Sequence, residues 1–149
     1  MTPARATFYS AVYAVLTRGD RVLLMRRAGS GFHDDELGLP AGHLDGGESA
    51  VAGLLRELRE EVTVEADPAA CTLATVLHRA PEYAGDAEYM DLVFTVDSWR
   101  GEPAIGEPDK CTGLVWAHRD DLPADVIPYI RTALEAVWAH EPLVLIGWT

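Results

Sequence analysis

The feature that most constrains this chain is a switch to helical hydrophobic spacing directly behind a glycine-rich loop. From Ser49 onward, Val51, Leu54, Leu55, Leu58 and Val62 recur at steps of three and four, which lays one apolar stripe along an amphipathic helix. Ser49 suits the N-cap, because its hydroxyl can accept from a free N–H of the first turn. The other side carries Arg56, Glu57, Arg59, Glu60 and Glu61. Glu57 stands three and four residues before Glu60 and Glu61, so the carboxylates share one face and repel by about 0.2–0.5 kcal/mol per pair. A divalent cation would offset this, since hard cations take several carboxylate oxygens. Taken alone, the helix reads as a solvated face of mixed charge. The preceding segment changes the balance. Leu39-Pro40-Ala41-Gly42 and Gly46-Gly47-Glu48 put a loop at the helix N-terminus, where backbone groups can approach a ligand. Glu48 lies across the loop-to-helix junction from Arg56 and can pair with it to fix the loop.

Strand patterns surround this unit. Thr7 to Thr17 is rich in Phe, Tyr, Val and Ala, turns at Arg18-Gly19-Asp20, and resumes over Arg21 to Met25, which predicts a hairpin. Gly29 to Leu39 reads as a loop and Pro40 to Gly47 as a glycine-rich connection. Cys71 to His78, Glu88 to Trp99 and Thr112 to Ala117 read as strands. Pro128 can open a helix that continues through Tyr129 to Ala139 and stops at Pro142. The apolar tail Leu143 to Trp148 is expected to pack on the domain or on a second copy of the chain, as a homodimer would require. Strands, helix, strands, helix predict an α+β fold, an α/β/α sandwich with a mixed β-sheet between helices, as one domain over 1–149.

Composition narrows the function classes. The net charge of −12 argues against a duplex nucleic-acid binder, which needs clustered Lys and Arg on phosphates. An anionic substrate remains compatible if carboxylates first gather a cation. Cys71 and Cys111 stand far apart without Cys or His companions, so reduced thiols in a cytoplasmic protein are expected. No apolar run is long enough for a membrane span, and the N-terminus lacks the unbroken apolar block of a signal peptide.

The stretch Gly42-x5-Glu48-x7-Arg56-Glu57-Leu58-x-Glu60-Glu61-x-Thr63-Val64 resembles the Nudix box, G-x5-E-x7-R-E-U-x-E-E-x-G-U with U aliphatic. It departs at one position, where Thr63 replaces glycine, so the exit from the helix is expected to be altered or strained by about a kcal/mol. Beyond the box, Arg26-Arg27, Trp99-x-Gly101-Glu102-Pro103 with Glu107, and Asp120-Asp121-Leu122-Pro123 are similar to the MutT-like branch of that family.

The resemblance implies a Nudix fold and a hydrolase that cuts the pyrophosphate link of a nucleoside di- or triphosphate or a nucleoside-diphosphate-linked substrate, with ADP-ribose or a nucleotide sugar as the alternative. It implies that Glu57, Glu60 and Glu61, joined by a backbone carbonyl near Gly42, hold Mg2+, with Mn2+ as a substitute. The general base is then Glu57, Glu60 or a downstream-loop carboxylate. Glu107 is preferred there, and Glu82, Asp86 and Glu88 compete. Arg27 is a candidate phosphate contact, while Glu48 and Arg56 are structural. The absence of asparagine counts against an oxidised-purine pocket of the MutT type. Trp99 and Trp116 can stack on a base but read more readily as core, and His43, Tyr83 and Tyr89 are weaker pocket candidates. A non-catalytic nucleotide-sensing module would show a degraded carboxylate trio, whereas all three are present.

Overall fold

The computed structural model describes residues Met1–Thr149. Strand β1 (Ala11–Arg18) turns through Gly19 and Asp20 into β2 (Arg21–Arg27). Gly19 takes φ 56, the left-handed conformation that a two-residue hairpin turn favours and glycine adopts freely. The hairpin predicted from the sequence forms, but its first strand begins at Ala11, not Thr7. The two strands pair only at the turn, through Thr17↔Val22 and Arg18↔Arg21. Beyond it they splay apart. Into the gap comes a wedge of two short strands, β3 (Leu37–Gly38) on β2 and β4 (Ala41–His43) on β1. Between them, Ala14 N donates to Pro40 O at 2.9 Å. These residues read as loop and connection because strands of two and three residues carry no period of their own.

The sheet is completed by β5 (Cys71–Arg79), β6 (Tyr89–Val96), β7 (Cys111–His118) and β8 (Leu143–Ile146). β6 runs parallel to β1, β7 antiparallel to β2, and β8 parallel to β5. The tail thus packs on the domain as an edge strand.

Two helices cover the sheet. In α1 (Ala50–Val62), Leu54, Leu58 and Val62 bury against Val12, Ala14 and Leu16, the alternate residues of β1. In α2 (Pro128–Trp138), Ile130, Ala133, Leu134 and Val137 bury against Ala11, Tyr13 and Val15, the other set. A strand covered on both faces is therefore apolar throughout. Leu54 and Leu58 each contribute about 1.5–3 kcal/mol by full burial, while Leu55 is partly buried at the edge of the same cluster. This is the expected α/β/α sandwich with a mixed sheet.

Candidate active site

Helix α1 is anchored at both ends by residues the sequence singled out. Ser49 Oγ accepts from Ala52 N at 3.1 Å. Arg56 grips Glu48 through Nε and Nη2 at 3.1 and 2.7 Å, so the loop and the helix are tied as expected. At the far end, Thr63 adopts φ 60 and ψ 28, the left-handed conformation that glycine occupies more easily. The exit is kept and Thr63 carries the strain, about 1–2 kcal/mol for a residue with a Cβ. The carbonyls left free by the last turn are met by the segment between β6 and β7: Ala104 N donates to Val62 O at 3.0 Å and Gly106 N to Glu61 O at 2.9 Å. A Cβ at Gly106 would collide with the Glu60 carbonyl, so the approach requires glycine. This docking delivers Glu107 to the helix.

The wedge delivers the opposite wall. Ala41 N donates to Glu61 Oε2 at 3.0 Å, and Gly42 lies so close to the Glu57 carboxyl that a Cβ there would overlap it. The carboxylates are not drawn into a closed cage. Glu57 Oε1 accepts from Arg56 Nη1 at 2.8 Å, while Glu60 is half exposed and takes a longer bond from the same nitrogen at 3.3 Å. Burial pushes the Glu61 carboxyl up to about 8, with the charges of Glu57 and Glu107 adding to the effect against the Ala41 N–H. Burial also raises Glu57, opposed by Arg56. Glu107 has Lys110 Nζ at 3.4 Å, and the lysine is raised by that neighbour.

Of these groups, Glu61, Glu107 and Lys110 open on a cavity of about 450 Å3, which is lined further by Arg27, Tyr89 and Arg79. A somewhat larger hollow, about 510 Å3, lies beside Arg119 and Trp138. It contains none of the carboxylates of α1. At the inner end of the first cavity, Arg79 Nε donates to Asp91 Oδ2 at 2.6 Å, and Asp91 Oδ1 accepts from Ala11 N at 3.0 Å. The Arg79 guanidinium lies 4.3 Å from the ring centroids of both Tyr89 and Tyr129, and the Tyr129 hydroxyl meets that of Tyr13 at 3.1 Å.

The model for the NUDIX domain matches residues 7–137. The chain belongs to the NUDIX family. It is 30% identical over 123 residues to the 8-oxo-dGTP diphosphatase of Escherichia coli (strain K12), covering 80% of this chain and 91% of that enzyme. It is 32% identical over 123 residues to the ADP compounds hydrolase NudE of the same organism, covering 81% of this chain and 64% of that one. It therefore spans just under two thirds of the second relative's length. The crystal structure of a MutT NUDIX hydrolase from Burkholderia pseudomallei superposes with a TM-score of 0.79 at 29% identity, covering 87% of this chain and 97% of that one. The protein is thus a Nudix hydrolase of the MutT-like branch, and the non-catalytic reading is set aside.

Within this Nudix hydrolase, Gly42, Glu61, Glu107 and Arg27 line one cavity; Glu57 lies behind Gly42, and the half-exposed Glu60 shares Arg56 Nη1 with it. Arg27 lines the wall but is held by its own loop, through Nε to Phe32 O at 3.0 Å and Nη2 to Ser30 Oγ at 3.1 Å. Of the competing loop carboxylates, Asp86 reaches the cavity wall, whereas Glu82 is bonded to His33 Nε2 at 2.7 Å. Tyr83, Tyr89 and His43 do line the cavity. Trp99 and Trp116 stack on each other beneath Arg18, away from it. Sequence reading missed Arg79, Asp91, Tyr13 and Tyr129. The available signal was Asp91, a carboxylate within the largely apolar β6, since a charge on a buried strand needs a partner.

Proposed function

We propose that the protein hydrolyses a pyrophosphate bond of a nucleoside triphosphate or related nucleoside diphosphate derivative, with Mg2+ or Mn2+ as cofactor. The observation that carries this reading is the crowding of three carboxylates, with Glu61 and Glu107 on the wall of one cavity and Glu57 against Gly42 beside them, and with the carboxyl of Glu61 pushed up to about 8. The donor set fits a hard divalent cation: it is all oxygen, and its charges are incompletely matched by Arg56 and Lys110. Glu57, Glu60, Glu61 and the backbone carbonyl of Gly42 would hold the ion, which when bound neutralises diphosphate charge and acidifies water. Glu107 serves as general base: it takes a proton from the attacking water as that oxygen bonds to phosphorus and the bridging P–O bond breaks toward the leaving phosphate. Arg27 and Lys110 balance the anionic oxygens at the cavity wall, and Arg56 with Glu48 keeps the glycine loop against the helix.

A second reading, hydrolysis of ADP-ribose or a nucleotide sugar, draws on the 32% identity to the ADP compounds hydrolase. Phosphate and nucleotide release from a panel of both substrate types, with Mg2+ titrated, separates the two. Glu61→Gln and Glu60→Gln should each lower turnover on the order of a hundredfold or more, given several kcal/mol of transition-state stabilisation from the ion, with folding kept. Near-normal rates in both variants at saturating Mg2+ would remove the metal assignment.

A further inference from the structure

Arg79 is 6% exposed and Asp91 0%, so the pair is bound into the protein between β5 and β6. The only hydrogen bond that the guanidinium makes to the protein is from Nε to Asp91. The N–H groups on Nη1 and Nη2 meet no protein acceptor, yet Arg79 lines the catalytic cavity beside Tyr89 and Tyr129. Neither nitrogen is among the buried atoms that lack a partner, so both face the open cavity, where water meets them in the free protein and the acceptors of a ligand can replace it. The guanidinium charge is already balanced by Asp91 at 2.6 Å, and a further anion here would lie buried and unpaired, at a cost. A neutral group with two adjacent acceptors avoids that cost and matches the planar fork of the guanidinium.

We infer that Arg79 reads the base of the substrate through a base edge carrying two neighbouring acceptors, as guanine does with O6 and N7. Arginine bidentate to O6 and N7 is the commonest specific contact to guanine. Cytosine offers the same chemistry through O2 and N3. Adenine places its amino donor beside N1 and N7 and leaves N3 without a second acceptor adjoining it, thymine places N3–H between its two carbonyls, and 8-oxoguanine replaces the N7 acceptor with N7–H. The pocket therefore favours the unoxidised base, unlike the reaction named for the Escherichia coli relative. The inference rests on the proposed nucleotide chemistry and adds the base to it.

The test measures binding and hydrolysis separately. Calorimetric titration of the full chain with dGMP, 7-deaza-dGMP, 8-oxo-dGMP, dAMP, dCMP and dTMP reports the pocket without any turnover. Steady-state rates on the matching triphosphates report the reaction. Loss of N7 should weaken binding about tenfold to a hundredfold, and Arg79→Lys should weaken dGMP binding similarly while leaving 7-deaza-dGMP nearly unchanged. Since removing one partner of a buried pair can unfold the protein, the deaza comparison on the unaltered chain decides independently of any variant. Tight dCMP binding with weak dTMP binding would assign the acceptor pair to cytosine and keep the inference. Equal affinity for dGMP and 7-deaza-dGMP without a cytosine preference, or a preference for 8-oxo-dGMP, overturns it. Hydrolysis without base preference sinks the inference alone, whereas base preference without hydrolysis sinks the proposed reaction alone.

Discussion

At the inner end of the cavity Asp91 accepts from Arg79 and from the Ala11 amide, and two tyrosine rings lie against the guanidinium. At the mouth, Glu61 accepts from one amide, Ala41 N, and lies within the influence of Glu57 and Glu107. Both regions bury charge in one continuous hollow. The first is neutralised by the protein itself, so its order does not depend on a ligand. The second sets the Glu61 carboxyl under the charges of Glu57 and Glu107 with one amide to oppose them, so its ionisation costs stability in the free protein. The two ends differ in what completes their charge: a paired side chain at one, and under the proposed function a cation at the other.

The sharpest way to break this comparison is to alter one carboxylate at each end. Asp91→Ala, which strands a buried guanidinium, should destabilise the fold by about 3–5 kcal/mol, read as a lowered denaturation midpoint. Glu107→Gln should slow turnover about 10²–10⁴-fold with an unchanged midpoint. If Glu107→Gln unfolds the protein while Asp91→Ala does not, the two ends have been misread.

A second experiment follows Glu61, whose carboxyl is raised from the ordinary 4.5 to about 8. Between those values the folded protein keeps a proton that the unfolded chain has released. Stability in chelator should therefore fall as pH rises through this window and level off above it. Added Mg2+ should restore stability at the alkaline end, and Glu61→Gln should flatten the slope. A melting temperature in chelator that is flat from pH 5 to 9 contradicts the assignment.

How much of this was legible depended on sequence distance. The box could be read because its parts lie within one loop and one helix, where spacing alone sets which side chains share a face. Thr63 was legible for the same reason, since a helix end has a known backbone demand. The inner end was not, because Arg79 and Asp91 are isolated in separate strands, and Tyr13 and Tyr129 join them only through the parallel β1–β6 pairing and the seating of α2. The wedge was invisible because its strands are defined entirely by partners far along the chain.

The smallest expected effect concerns Thr63. Thr63→Gly relieves the left-handed strain at φ 60 and should stabilise by about 1 kcal/mol, reduced by the greater freedom of glycine in the unfolded chain. Denaturant titration measures it. A loss of stability would show that the Thr63 side chain contributes more than its backbone costs.

The segment that delivers Glu107 also terminates α1, by donating Ala104 N to Val62 O and Gly106 N to Glu61 O. Its length is consequently not free to drift as surface loops usually do. Inserting or deleting one residue between Trp99 and Gly106 would uncap the helix and displace the proposed base in the same stroke. Anyone transplanting this stretch from a homologue to retune the enzyme has to carry its register along with its side chains.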